Sequence, residues 1–364
     1  MTDGNNVEHP SVVMTTESVD VTESASTNAV TSSSSHMEFY FQCAVVVIGI
    51  AGSAANALIL YAMVASKQHK KRVLIFHQNV LDVLSSFLLI ITYSLKLCNF
   101  YLTGLAGYWF CMLILSENVL WWAILASKTN LIFVTIERYL KAVYPVWSKN
   151  KLRKWMIYSA MPLSWISGLV HANALTFTTS DVIDGLCYAY VIWESRESQL
   201  AYGIWYFLFF YFIILIFFIF CYGHILIAIR RQAKVMASHG TTAGPSTAQA
   251  PSRQIQSSVV KTMILVSAFY AISELPLSIY YLMLNVHANL TLLESGYYAT
   301  LFISFFYFCT NPFIYAVKFE PVKQILLRVI LCKKTPVQPT DGSIEIGASR
   351  IASTRATQPH NSRM

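Results

Sequence analysis

Six ionisable side chains lie within long apolar stretches of the chain: Asp82, Glu117, Lys128, Glu137, Arg138 and Glu274. Placing such a group at the centre of a helix in hydrocarbon costs about 2.5–3.5 kcal/mol on insertion scales, so each is read as part of an ion path, a buried pair or a polar switch. Glu137 and Arg138 stand together in Glu137-Arg138-Tyr139, followed by Leu-Lys-Ala-Val-Tyr-Pro. A second polar break is Asn311-Pro312-Phe313-Ile314-Tyr315, whose proline frees a backbone carbonyl and permits a kink. The seven cysteines are too few and too scattered for a disulfide scaffold, and no metal-ligand spacing appears among them.

The elements that carry these groups have to be membrane helices. The 364 residues are 55% hydrophobic and only 12% charged, with a mean hydropathy of +0.50, whereas a soluble domain carries about 25% charge. That composition sets aside the soluble-enzyme classes. Seven apolar runs are long enough to cross roughly 30 Å of hydrocarbon: Glu38 to Ala65, Val73 to Leu97, Tyr108 to Ile132, Trp155 to Phe177, Leu200 to Ile229, Val259 to Val286 and Ser295 to Val317. They do not alternate, and in lipid each backbone amide must be satisfied within its own segment, so they are helices rather than barrel strands. The expected fold is an all-α, seven-helix membrane bundle. No repeat of the kind found in transporters is visible.

Around the bundle, residues 1–37 are Ser/Thr-rich and expected to be a disordered tail, the membrane domain spans 38–318, an amphipathic segment covers 319–332, and 333–364 form a disordered tail. The Ser/Ala/Gly/Pro-rich stretch from Gln232 to Ser258 reads as a mobile loop. Basic residues mark cytoplasmic ends. Lys67, Lys70, Lys71 and Arg72 follow span one, Lys149 to Lys154 precede span four, Arg230 and Arg231 end span five, and Lys323 to Lys334 follow span seven. The opposite side carries only Lys96 and Arg196, which puts the N-terminus outside and explains the net charge of +8 as a topology signal rather than a nucleic-acid surface. Acids collect outside, among them Asp181, Asp184, Glu194 and Glu197, a surface that draws cations or is simply solvated. Asn289-Leu290-Thr291 is an outward glycosylation sequon. Cys111 and Cys187 lie outside, placed to meet in an oxidising compartment, with Cys98 a rival partner; the expected bond is Cys111–Cys187. Cys332 closes the amphipathic segment and is a palmitoylation candidate.

Taken together these landmarks resemble the rhodopsin-like, or class A, family of G-protein-coupled receptors, from about Gly52 to Cys332. Asn56 stands at the family's span-one asparagine, Asp82 at the span-two aspartate, Trp165 at the span-four tryptophan and Pro276 at the span-six kink. Glu137 to Tyr139 match the span-three motif, Tyr222 the span-five tyrosine and Asn311 to Tyr315 the span-seven motif, while Phe319 to Leu331 is similar to the short eighth helix. The resemblance implies a receptor and not an enzyme, in the plasma membrane, with an extracellular ligand, a heterotrimeric G protein and arrestin as partners. It implies a G-protein switch made of Glu137, Arg138, Tyr139, Tyr222, Asn311, Pro312 and Tyr315, with Glu137 holding Arg138 until the inner ends of spans five and six part. It also implies a polar pocket of Asp82, Ser127 and Asn311 that holds a sodium ion in such receptors. No other cofactor is expected.

Departures from the family pattern are equally specific. Leu120 stands where amine receptors carry an aspartate, no lysine lies between Lys261 and Lys318 to bind retinal, and Gln256 replaces an acid that can complete the lock on Arg138. The interval from Cys111 to Arg138 is two residues longer than usual, leaving Glu117 either in the pocket or on the outer rim. Ile214 replaces the span-five proline and Tyr270 stands at the span-six aromatic position. The implied ligand pocket comprises Glu117, Leu120, Trp121, Ile124, Leu277, Tyr281, Leu301 and Phe305, an aromatic and apolar set suited to a peptide or a small amphipathic molecule. Lys128 and Glu274 occupy family positions that normally hold an apolar residue and a tryptophan and that neighbour each other across spans three and six. They are expected to form a buried ion pair, the alternative being that each reaches water or Asp82 separately. The rival functions are a transporter or ion relay built on Asp82, Lys128 and Glu274, and a receptor-like binder that does not signal.

Overall fold

The computed structural model describes residues 21–98, 100–190, 192–239, 250–286, 294–318 and 320–330. Its helices are α1 (Val21–Ala65), α2 (Val73–Lys96), α3 (Gly104–Phe110), α4 (Asn118–Val143), α5 (Pro145–Lys151), α6 (Lys154–Thr179), α7 (Arg196–Phe207), α8 (Ile213–His239), α9 (Ala250–Val286), α10 (Glu294–Lys318) and α11 (Glu320–Ile330). A π-turn, Cys111–Leu115, follows α3, and a second, Leu208–Phe212, joins α7 to α8. Spans three and five are thus composite rods. The only strands among the described residues are β1 (Asp181–Ile183) and β2 (Leu186–Tyr188), an antiparallel hairpin. Its two turn residues, Asp184 and Gly185, both have positive φ, as an Asp-Gly two-residue turn requires.

Five helical runs among the described residues are long and apolar enough to cross a membrane: His36–Ala65, Val73–Lys96, Gly104–Val143, Arg196–Gln232 and Val260–Val286. The remaining two expected spans fold as α6 and α10, of 26 and 25 residues, lengths that reach across hydrocarbon. Ser, Thr, His and Asn in α6 dilute its apolar character. Large apolar side chains such as Ile219, Ile272, Val47 and Val170 point outward, 58–70% exposed, a surface that fits lipid and would be a liability in water. The core joins α1, α2, α4, α8, α9 and α10 through Ile59, Leu89, Leu131, Ile225, Tyr270 and Phe308. Gly168 lets α6 approach α4, since a methyl there would run into the Trp122 carbonyl and the Ala126 nitrogen.

The helices run past the expected segment bounds at several ends. Helix α1 starts at Val21, inside the stretch 1–37 expected to be disordered; once an apolar span nucleates a helix, each further residue adds one hydrogen bond, so the helix extends backward into the polar tail. For the same reason α8 and α9 run to His239 and from Ala250, into the expected loop Gln232 to Ser258. Helix α11 covers most of the amphipathic segment 319–332. Asn289 and Cys332 lie outside the described residues, as do most of the two tails.

Candidate functional site

At the hairpin end of the bundle the helices line a cavity of about 210 Å³. The disulfide Cys111–Cys187 ties β2 to the start of span three, and Cys98 is free. The two residues after β2, Ala189 and Tyr190, thereby become part of the cavity wall. Tyr190 is held by its hydroxyl, which donates to the Ser116 carbonyl at 2.5 Å, and by its own N–H, which donates to Ser180 Oγ at 3.1 Å. Burial raises the Tyr190 phenol well above its ordinary range, so it remains an O–H donor.

The two extra residues of span three are absorbed by the π-turn and by Glu117, which takes left-handed dihedrals (φ 62°) before α4 begins. This break aims Glu117 into the cavity rather than onto the rim. Its Oε1 accepts from the Tyr93 hydroxyl (2.8 Å) and Lys96 Nζ (2.5 Å), and its Oε2 from Trp121 Nε1 (3.1 Å). Of the expected pocket residues, Glu117, Trp121, Leu277, Tyr281 and Leu301 line the cavity. Leu120, Ile124 and Phe305 do not. They are fully buried in the core, Leu120 and Ile124 on α4 and Phe305 on α10, where it packs edge-on against Tyr93 at 5.7 Å. Lys96, His171, Tyr190, Tyr202, Tyr206 and Tyr297 line the cavity without having been singled out from sequence; the i, i+4 spacing of Tyr202 and Tyr206 was the available signal.

Below the cavity, Lys128 Nζ lies 2.7 Å from Glu274 Oε2 and both side chains are 2% exposed. Glu274 Oε1 accepts from the Ser304 hydroxyl at 2.7 Å. The ammonium also lies 5.9 Å from the Trp121 ring and 6.0 Å from the Tyr270 ring, and Tyr206 is close enough to feel its charge. Trp121 therefore borders both the cavity and the ion pair. Where Ile214 replaces a proline, the preceding π-turn supplies the irregularity. The Phe210 carbonyl within it accepts from the Tyr270 hydroxyl (2.9 Å), while the Tyr211 hydroxyl donates to the Ala271 carbonyl (3.2 Å).

A separate polar chain crosses the bundle. Trp165 Nε1 donates to His77 Nε2 (3.1 Å), which leaves His77 Nδ1 to donate to Asn130 Oδ1 (3.0 Å). Asn130 Nδ2 donates to Gln78 Oε1 (2.7 Å), and Gln78 Nε2 donates to Ser127 Oγ (2.5 Å). Ser127 (2.9 Å) and Gln78 (3.3 Å) donate to Asp82 Oδ1 and Asn311 Nδ2 donates to Asp82 Oδ2 at 3.1 Å. Asp82, Ser127 and Asn311 thus meet, and the buried Asn311 Oδ1 has no hydrogen-bond partner among the described residues. His77, Gln78 and Asn130 escaped the sequence reading because uncharged polar residues carry little signal in a span.

At the inner end Glu137 and Arg138 are both buried, yet they hold each other loosely: Nη2 to Oε1 is 3.9 Å, and the close partner of Glu137 is Lys141 one turn on. Adjacent residues project about 100° apart on a helix, whereas i and i+4 stack, which explains the preference. Arg138 Nε and Nη2 have no hydrogen-bond partner among the described residues. Desolvation and the neighbouring Arg138 lower the pKa of Arg72 to about 10. Tyr139 stacks on His224 at 6.2 Å. Tyr222 bridges Thr135 (3.0 Å) and Ser267 (2.9 Å). Pro312 lies inside α10, and the side chains of Tyr315 and Gln256 are outside the described residues.

Apolar helices around buried polar networks, with a disulfide-tied hairpin over an outer cavity and a Glu-Arg-Tyr motif at the other end, define a multi-pass membrane receptor. The family profile for the 7 transmembrane receptor (rhodopsin family) matches residues 55–315, and the chain belongs to that family. No curated protein sequence matches the chain. Membership makes it a rhodopsin-like signalling receptor in a family of receptors rather than enzymes, whose partners in general are ligands and G proteins.

Proposed function

We propose that the receptor binds an extracellular ligand, a peptide side chain or a small amphipathic molecule, in the outer cavity and activates a heterotrimeric G protein from the plasma membrane, with its N-terminus outside. The observation that carries this reading is that Trp121 lines the cavity and lies over the Lys128 ammonium, while Tyr206, also in the lining, is within electrostatic reach of the Lys128–Glu274 pair. A ligand that moves either ring changes the surroundings of a buried charge, and a group without partners in the bundle core biases a two-state equilibrium strongly. The helices bearing the pair, α4 and α9, continue to the inner end, where Arg138 of α4 has donors free for a partner. Arrestin recruitment through the C-terminal tail belongs to the same reading.

A relay through Asp82, Lys128 and Glu274 has less support, since the hydrogen-bond partners of Asp82 are Gln78, Ser127 and Asn311 and those of Glu274 are Lys128 and Ser304. The test is G-protein recruitment in cells expressing the full chain, run across peptide and small-molecule libraries and without ligand. Recruitment supports the reading. Ion flux without recruitment favours the relay, and ligand binding with neither favours a silent binder.

A further inference from the structure

We infer that the outer cavity takes a compact amphipathic anion, a small carboxylate-bearing molecule whose acid group bonds to Lys96 and whose aryl or alkyl part packs against Trp121, Tyr206, Leu277 and Leu301. This rests on the reading of the cavity as the ligand site. The argument is one of unused hydrogen-bonding capacity. Both carboxylates near the cavity already have a lysine as counter-charge: Glu117, which lines it, accepts from Lys96 and also from Tyr93 and Trp121, three donors for about four lone-pair sites, and Glu274 accepts from Lys128 and Ser304. A ligand ammonium would have to compete with Lys96 or Lys128 for a carboxylate that the lysine already neutralises. Lys96 is in the opposite position. Its ammonium carries three N–H groups, one of which reaches Glu117, while its other neighbour is the Tyr93 ring at 5.1 Å. It is 26% exposed, so an incoming group can reach it.

Size and lining fix the rest of the molecule. A cavity of about 210 Å³ is smaller than the roughly 300–1,000 Å³ of drug-sized sites, which excludes a bulky ligand held entirely inside. Its deeper wall is aromatic and aliphatic, and Lys128 lies close to Trp121 of that wall. An anion at Lys96 therefore shares that ammonium with Glu117 and has the apolar wall for the rest of the molecule. The exposed acids Asp181, Asp184, Glu194 and Glu197 lie on the outer loop and are not part of the cavity lining.

The test uses the full chain in lipid nanodiscs, with thermal melting measured against hexanoate, phenylpropanoate and indoleacetate and against the primary amide and amine of each skeleton. At least one acid should stabilise the receptor, and its amide and amine should bind roughly tenfold or more weaker, the scale of one charge-assisted hydrogen bond. Lys96→Gln should weaken the acid by a similar factor. Glu117→Gln should strengthen it, because Lys96 loses its internal competitor. That opposite sign keeps the test decisive if Lys96→Gln fails to fold. Preference for amines or amides, no stabilisation by any acid, or weaker acid binding by Glu117→Gln would overturn the inference. Acid binding that produces no nucleotide exchange on G proteins would leave the ligand class standing and refute the signalling reading instead.

Discussion

Lys128 of α4 and Glu274 of α9 face each other at 2.7 Å in the middle of the bundle, each 2% exposed. Two charges at this depth hold only because each satisfies the other and because Ser304 supplies a further hydrogen bond. Removing one partner, as in Lys128→Met or Glu274→Gln, should cost roughly 3–5 kcal/mol or freeze the receptor in one activity state. The exchange Lys128→Glu with Glu274→Lys should recover part of that loss. A double-mutant cycle on melting and basal signalling reads the coupling, and strictly additive effects would mean that the charges do not interact.

Spans five and six are joined by two tyrosines that each donate to a carbonyl next to the other: Tyr270 to Phe210 and Tyr211 to Ala271. Opening the inner ends of these spans must strain both bonds. Tyr211→Phe and Tyr270→Phe should each cost on the order of 1 kcal/mol, and the double variant should raise basal nucleotide exchange. Unchanged basal exchange in the double variant would remove this pair from the switch.

The seven-helix class, the disulfide pairing and the meeting of Lys128 with Glu274 were legible because charges, cysteines and long apolar runs are rare or unmistakable in such a chain. The shape of the outer site was not. A π-turn and one left-handed residue at Glu117 decide which faces of α4 meet the cavity, and neither leaves a mark in composition. Leu120, Ile124 and Phe305 were assigned to the pocket by family register and instead fill the core. The Asp184-Gly185 turn, by contrast, was a readable hairpin signal hidden in a loop.

Glu137 is held more closely by Lys141 than by Arg138. Lys141→Met should release Glu137 to its neighbour, tighten the hold on Arg138 and lower basal exchange. Measurement of unliganded activity at matched surface expression checks this, and an increase would contradict it.

The Cys111–Cys187 bond closes a separation of 76 residues. In the chain-entropy treatment such a link stabilises by about 4 kcal/mol. Cys187→Ser should lower the melting temperature and loosen the hairpin that carries Ala189 and Tyr190 into the cavity wall. Peptide mapping that joined Cys98 to Cys187 would refute the pairing.

The central claim, that this receptor drives nucleotide exchange through its inner end, is tested most directly by reconstituting the full chain in nanodiscs with purified heterotrimeric G proteins of each class. Arg138 lies far along α4 from Trp121 and has unpartnered Nε and Nη2 atoms. The wild-type chain should accelerate GDP release from at least one class, and Arg138→Ala should abolish that acceleration while remaining folded with its cavity intact. Equal exchange by the wild type and Arg138→Ala, or none by the folded wild type with any class, would contradict the account.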